Sequence, residues 1–371
     1  MHKVLTAKET EEIAEQLRNL RYDSLARIIS DLSFKISNDG FEDKCEGRIR
    51  LGYQLEALGR KLGIAAGEAF NVWNTCKNFM DDDRFRGCLV GLAIGDALGT
   101  TLEFADPKAT TFTPIKDMIG GGPFRLPVGY WTDDTSMALC SAFSLVECRG
   151  FDAKHHLDTF VKWWKEGLFS STGTCFDIGN TIRTALTCYQ HDGSIGLETQ
   201  SQSNGALMRL APVILYGHDK PNFKELIIEA TKITHNNLVC IEASILFADK
   251  VSQALSGRSK EEIRTSTVID HQYVTTALQS ASTGEFEHLD GSGFVVSALE
   301  TALEAFFSTN TFEEGALKAV NKGNDSDTTG AIYGQIAGAY YGWKGLTVQW
   351  KNKLYMLNEI AVMASNLMNV R

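Results

Sequence analysis

Two runs of evenly spaced glycine constrain this chain more than anything else in it. Gly87, Gly91, Gly95 and Gly99 form the first, and Gly330, Gly334, Gly338 and Gly342 the second. A spacing of four places every member of a run on one face of an α-helix. Each interior glycine costs a helix roughly 1 kcal/mol relative to alanine. A chain that accepts this repeatedly needs a bare helix stripe, so that another helix or a ligand can approach closely. Membrane helices dimerise through the same device, but Asp96 and the flanking charges exclude that setting. An acidic motif follows the first run and another precedes the second. The expectation is of close-packed helices that hold two acidic motifs in register.

The motifs are Gly129-Tyr130-Trp131-Thr132-Asp133-Asp134-Thr135 and Asn324-Asp325-Ser326-Asp327-Thr328-Thr329. Asp and Thr oxygens are hard ligands that suit Mg²⁺ or Mn²⁺ better than zinc. Thr132, Asp133 and Asp134 offer them from one side, and Asp325, Asp327 and Thr328 from the other. Adjacent Asp side chains diverge, so two divalent cations can be served. Four carboxylates gathered at one place repel strongly unless cations lie between them. For either motif alone, capping of the following helix is the competing reading. The positive end of a helix dipole disfavours a cation, so the site is expected to exist only where the two distant segments meet.

Composition sets the frame for this site. The chain has 371 residues, 43% of them hydrophobic, enough for a large core and two folding units. The net charge of -10 argues against a nucleic-acid partner. The acidic excess lies wholly beyond residue 80, since residues 1–80 hold 12 acidic and 12 basic side chains. No two of the eight Cys are spaced C-x-x-C, which speaks against a zinc ribbon, and reduced Cys in apolar helices fits a reducing cytoplasm. There is no apolar leader at the start and no run long enough to span a membrane.

Residues 1–80 read as a helical unit without concentrated chemistry. One apolar face holds Ile13, Leu17 and Leu20, another Leu25, Ile28, Ile29, Leu32 and Ile36, a third Leu51, Leu55, Leu58 and Leu62. Asn38-Asp39-Gly40 and Gly63 read as breaks. The unit is either a packing extension or a partner-binding module. Asp81-Asp82-Asp83 reads as an N-cap cluster for the next helix. Residues 100–130 carry four of the six prolines and form a long loop, with Glu103 at its start. Helices are expected from Asp133 to Cys148 and from Asp152 to Trp164. The small residues from Ser170 to Thr174 open another at Cys175, and Gln202-Ser203-Asn204-Gly205 opens the next. Further helices are expected around 223–233, 237–256, 260–281, 293–307 and 312–321. His235, at a helix junction, reads as a cap or a hydrogen-bonded core residue. No period-2 segments appear, and the fold class is all-α, a large orthogonal helical assembly.

Six segments together resemble the ADP-ribosylglycohydrolase family, whose namesake removes ADP-ribose from an arginine of dinitrogenase reductase. They are Arg86-Gly87 through Gly95-Asp96-Ala97-Leu98-Gly99 to Glu103; Trp131-Thr132-Asp133-Asp134-Thr135; Phe176-Asp177-Ile178-Gly179-Asn180-Thr181; Asn204-Gly205-Ala206-Leu207-Met208-Arg209; Thr234-His235; and Asp325-Ser326-Asp327-Thr328-Thr329-Gly330. They occur in the family's order and cover about residues 84–345.

The resemblance implies a domain over 81–371 that hydrolyses the bond between ADP-ribose and a modified protein side chain. Thr132, Asp133, Asp134, Asp325, Asp327 and Thr328 would hold two Mg²⁺ or Mn²⁺ ions. Asp177 would do acid–base work, on the ribose or on the departing guanidine, and Glu103 would border the metals on a mobile loop. Gly173, Thr174 and Asn180 would meet diphosphate and ribose. Asn204, Gly205 and His235 would line the nucleotide site. The stretch from Phe176 to Gly179 is typical of arginine-directed members, which implies an ADP-ribosylated protein substrate modified on arginine and a place for Phe176 at the substrate. Family members that begin near residue 80 lack the segment 1–80. Some bacterial relatives with such an extension serve as immunity proteins, so residues 1–80 would occlude a cognate ADP-ribosyltransferase toxin. Other readings are a regulatory eraser of a housekeeping target, a hydrolase of another ADP-ribose linkage or of a phosphoester, and a catalytically silent binding relative.

Overall fold

The computed structural model describes residues 22–45, 48–265 and 279–370, and every regular element among them is a helix. Extended pairing is limited to isolated bridges, such as Gly121 with Leu126 and Ser203 with Phe294. The all-α expectation holds. The chain divides into two compact units between Asp81 and Asp82.

The first unit contains helix α1 (Tyr22–Cys45) and the early part of helix α2 (Ile49–Gly99). Neither expected break is present: α1 runs through Gly40 and α2 through Gly63. These glycines sit where backbones approach instead. A Cβ on Gly40 would lie 2.8 Å from the Gly52 carbonyl oxygen, and one on Gly63 3.3 Å from Ser33 Oγ. Ser33 Oγ donates to the Gly59 carbonyl at 2.7 Å. The contact is therefore a seam of small residues, with Ala26, Gly40, Gly52, Gly59 and Ala66 buried. Leu32 and Leu58, expected on buried faces, are 46% and 45% exposed. The set Ile13, Leu17 and Leu20 lies outside the described residues.

In the second unit Asp82 and Asp83 do not start a helix, because α2 already runs through them. Asp82 pairs with Arg86 one turn on, at 3.0 Å, and accepts from Ser365 Oγ at 2.7 Å. Asp83 Oδ1 accepts the Lys344 backbone N–H at 3.3 Å. After the loop come α3 (Asp133–Cys148), α4 (Ala153–Glu166), α5 (Asn180–Asp192), α6 (Ala211–Gly217), α7 (Phe223–His235), α8 (Leu238–Leu255), α9 (Lys260–Thr265), α10 (Gln279–Thr283), α11 (Val295–Ser308), α12 (Phe312–Val320), α13 (Ser326–Gly345), α14 (Val348–Lys353) and α15 (Leu357–Val370). Ends are capped as composition dictates. Asp152 accepts the His155 N–H to open α4, and Gly167 closes it at φ +74.

Three boundaries differ from expectation. The helix expected at Cys175 begins at Asn180, because Asp177 takes a left-handed conformation, φ +61, that interrupts regular winding. The helix expected at Gln202 begins at Ala211. The Asn204 N–H is drawn to the Gly293 carbonyl at 3.1 Å, and a tight turn follows. Of the helix expected over 260–281, the ends are α9 and α10, and the middle lies outside the described residues.

The glycine stripes of α2 and α13 face each other, antiparallel. A Cβ on Gly95 would collide with the Gly330 carbonyl, on Gly91 with that of Gly334, and on Gly87 with that of Gly338. Gly99 meets Ser326 and Asp327 in the same way, and Gly342, at φ +70, is where α13 departs from helical geometry. Helix α13 is buried from Ser326 to Ala339 and also packs against α3, α8, α11 and α12. The main core surrounds this pair. A smaller cluster built on Met137, Leu157, Phe160, Trp163, Leu186 and Met208 joins α3, α4 and α5. No disulfide occurs among the described residues, and Cys88, Cys140 and Cys240 are buried thiols. No described helix is long and apolar enough to cross a membrane.

Alanine in a helix interior ordinarily gains up to about 1 kcal/mol over glycine. At Gly95 the sign inverts, and overpacking against Gly330 makes Gly95→Ala destabilising by at least about 2 kcal/mol. Gly67→Ala, where a Cβ meets nothing within 4 Å, is the control and is neutral or stabilising. Urea midpoints of the two variants check the contrast.

Candidate functional site

The site begins where the stripes end. Helix α3 opens after Thr132, whose side chain makes no cap bond. Asp96, on the last turns of α2, does that work from a distance. Its Oδ1 accepts the Thr132 N–H at 3.0 Å, and its Oδ2 accepts the Thr135 N–H at 3.0 Å and the Thr135 hydroxyl at 2.6 Å. Glu103 does the same for α13: its Oε2 accepts the Ser326 N–H at 3.0 Å and the Asp327 N–H at 3.5 Å. Two carboxylates, one on the last turn of α2 and one just beyond it, thus terminate the positive ends of two other helices. Gly129, at φ +84, permits the approach of its loop to the Lys353 carbonyl, which no Cβ would allow.

Around these caps lie more acids than the caps need. Asp96, Asp134 and Asp327 present carboxylate oxygens within 4.8 Å of one another, and so do Glu103, Asp325 and Asp327. Asp327 belongs to both groups. Thr132 and Thr328 hydroxyls reach Asp134 Oδ2 at 3.1 and 3.4 Å. Asp134 Oδ1 and Asp327 Oδ2 are buried with no hydrogen-bond partner. Burial first, and then mutual repulsion led by Asp327, pushes Asp96 up to about 7 and Asp325 up to about 7. Burial with neighbouring charge also raises Asp133, Asp134 and Glu103 well above the carboxylate range. Orphaned oxygens in an all-oxygen cluster that cannot ionise fully on its own fit divalent cations of the Mg²⁺ or Mn²⁺ type. Asp133 lies outside both groups.

A cleft of 490 Å³ opens beside them. Glu103, Asp133, Asp177, Asp325 and Asp327 line it as an acidic set with Thr328 beside them, while Thr132 and Asp134 lie buried and do not reach its lining. Burial, then Asp327, Asp325 and Asp96, push Asp177 up to about 8. A second set of lining residues is uncharged: Asn180, Thr181, Ser201, Ser203, Gly205 and His235. Asn204 joins the sets, donating through Nδ2 to Asp325 Oδ2 at 2.9 Å. His235 is fully buried, its value pushed down to about 3 by burial first and by Arg209 second, so its imidazole is neutral. Gly205 makes room for it, since a Cβ there would lie 3.0 Å from His235 Cε1.

Three residues predicted to meet the substrate are not brought to the lining. Thr174 turns its carbonyl to Ser170 Oγ at 2.6 Å, and Gly173 faces open space. Phe176 packs on Phe124, 5.2 Å between ring centres; Phe124 in turn meets Phe104, which does line the cleft. Asp96, Ser201, Ser203 and Phe104 were not assigned from sequence. For Asp96 the signal was present, a lone charge in the apolar run from Cys88 to Leu98.

Comparison with known proteins places these features in a group. The family model described as ADP-ribosylglycohydrolase matches residues 79–371. The ADP-ribosylarginine hydrolase Tri1 of Pseudomonas putida (strain GB-1) is 37% identical over 296 residues, 77% of this chain and 78% of that protein. The ADP-ribosyl-[dinitrogen reductase] glycohydrolase of Rhodospirillum rubrum is 32% identical over 282 residues, 74% of this chain and 91% of that protein. A solved structure described as an ADP-ribosylglycohydrolase-related protein complex superposes with a TM-score of 0.70 at 37% identity, covering 78% of this chain and 98% of that one.

The raised carboxylates carry a pH signature. In the folded chain Asp96, Asp325 and Asp177 keep protons up to about 7, 7 and 8, whereas unfolded they release them near the ordinary carboxylate value of about 4. Unfolding then releases protons, so stability without divalent cations falls as pH rises towards 8. His156 and His235, pushed down to about 4 and about 3, act in the opposite direction below the ordinary imidazole value of about 6.5. Melting curves in EDTA between about pH 6.5 and 7.5, below the value of about 8 to which burial pushes Lys250 and Lys260, are led by the carboxylates and should show a falling Tm. A flat or rising Tm would contradict the assignment.

Proposed function

We infer the activity from kinship and geometry together: the chain belongs to the ADP-ribosylglycohydrolase family, and it is a glycosidase that hydrolyses an ADP-ribosyl bond. The bond is the N-glycosidic link to an arginine side chain of a modified protein. Relatives named ADP-ribosylarginine hydrolase, at 37% and 35% identity, support arginine. The observation that carries the reading is the pair of carboxylate groups sharing Asp327, which stand with Asp133 and Asp177 at one side of a cleft whose remaining residues are uncharged.

Asp134, Asp325 and Asp327, with Thr132, Thr328 and Asp133 nearby, would hold two divalent cations. When bound, such ions supply Lewis-acid polarisation and a template for water and ribose hydroxyls. The chain's own groups do the rest. Asp177 keeps a proton near neutral pH and gives it to the guanidine nitrogen as the C–N bond breaks. Asn204 ties the acidic set to the neutral one through Asp325. The neutral set receives the nucleotide end of the substrate, where no charge opposes it.

The segment before residue 79 lies outside the family match. Similarity to the Pseudomonas hydrolase leaves about a fifth of each protein outside it, whereas the Rhodospirillum protein is covered nearly end to end. The described part of that segment exposes Ile28, Leu32, Phe34, Phe41, Tyr53 and Ile64. This supports a second role as an immunity protein, in which residues 1–80 bind and block a cognate ADP-ribosyltransferase while residues 81–371 erase its product.

Incubation with an ADP-ribosyl-arginine protein should release ADP-ribose with Mg²⁺ or Mn²⁺ and none with EDTA. Asp325→Ala/Asp327→Ala should lower turnover more than about a hundredfold. Unchanged turnover would remove the site from the reaction, and cleavage of a phosphoester alone would select a different hydrolase. Deleting residues 1–75 should abolish binding of the transferase in a pull-down and leave turnover intact; binding that survives the deletion excludes the blocking role.

A further inference from the structure

A chain of hydrogen bonds runs from a buried cation to the wall of the cleft, and its direction can be worked out. Arg209 is 2% exposed on the turn before α6, and its Nη2 donates to Thr234 Oγ1 at 2.5 Å. Its ring neighbour is Phe160, at 4.8 Å, and its Nε has no partner. Thr234 Oγ1 lies 2.8 Å from His235 Nδ1, and His235 Nε2 lies 3.0 Å from Ser203 Oγ. Ser203 Oγ is further contacted by Ser201 Oγ at 3.2 Å and Thr181 Oγ1 at 3.3 Å. The three hydroxyls line the cleft.

A guanidinium has only donors, so Thr234 must accept from it. The single hydrogen of the Thr234 hydroxyl then has one acceptor within reach, His235 Nδ1. Were Nδ1 to carry the proton instead, Thr234, which is 3% exposed, would keep a buried hydroxyl hydrogen with no side chain or carbonyl to receive it. A neutral imidazole has one donor and one acceptor nitrogen, so Nε2 carries the hydrogen and gives it to Ser203 Oγ. Ser203, accepting from His235 and from Ser201, has both acceptor positions filled, so it can offer Thr181 Oγ1 or a ligand only its own hydrogen. We propose that Arg209 and Thr234 are positioning residues that lock His235 as the Nε2–H tautomer, so that Ser203 meets the ligand as a hydrogen-bond donor. This wall of the cleft therefore selects a hydrogen-bond acceptor atom on the nucleotide part of the ligand. The tautomer stands on the structure alone; the ligand rests on the activity proposed above.

The full chain labelled with ¹⁵N-histidine tests both parts. The wild-type His235 signals should show the Nε2–H tautomer, and Thr234→Val should shift or mix them while Thr234→Ser restores them. An Nδ1–H tautomer in the wild type overturns the proposal, even if the variants fail to fold. ADP-ribose titrated into the protein is the second readout. Thr234→Val and Ser203→Ala should each weaken binding about tenfold, and the double variant should be no weaker than Ser203→Ala alone. Losses that multiply, or a Thr234→Val variant that binds as the wild type does, overturn the coupling. A wild type that shows the tautomer but binds no ADP-ribose counts against the activity and the ligand, not against the lock.

Discussion

Everything in the catalytic unit depends on how closely α2 and α13 approach. With a Cβ at any of four successive turns, backbone would meet side chain and the pair would separate. The reason lies at the end of the pair rather than along it. Close approach brings Asp96 and Glu103, near the end of one helix, within reach of N–H groups that begin α3 and α13. A wider spacing would leave those amides bare and the acids without partners.

The electrostatics follow from that arrangement. Two carboxylates are used by the helix ends, and the remainder are crowded beside a cleft that holds no Lys or Arg in its lining. Protons or cations must restore the balance. Protons do so at the expense of ionised ligands, and divalent ions do so while leaving the carboxylates charged. Asp327 belongs to both carboxylate groups, so a change at one group is felt at the other.

Much of this was legible in the chain. The stripes, both acidic motifs, the helical class and α3 and α4 could be read because each has a local signature, a period or a cap. What could not be read depends on partners far along the chain. Gly40 and Gly63 look like breaks because glycine serves turns and close contacts alike, and only the opposite helix distinguishes them. Asp96 acts on Thr132 and Thr135 across more than thirty residues. Ser201 and Ser203 matter through His235, and nothing in a serine announces that. Gly173 and Thr174 form the small polar turn that their composition suggests, yet the turn folds on itself through Ser170 and does not face the cleft.

The equal spacing of the two stripes has one more consequence. Sliding α13 along α2 by one repeat, about 6 Å, would again set glycine against glycine for most of their length. The stripe is thus a vernier with several matching positions, and it cannot choose among them. The choice falls to the ends: in a slipped alignment Glu103 would miss the Ser326 amide and α13 would begin uncapped. The acids that crowd the cleft therefore also act as the stop that fixes where the two helices come to rest.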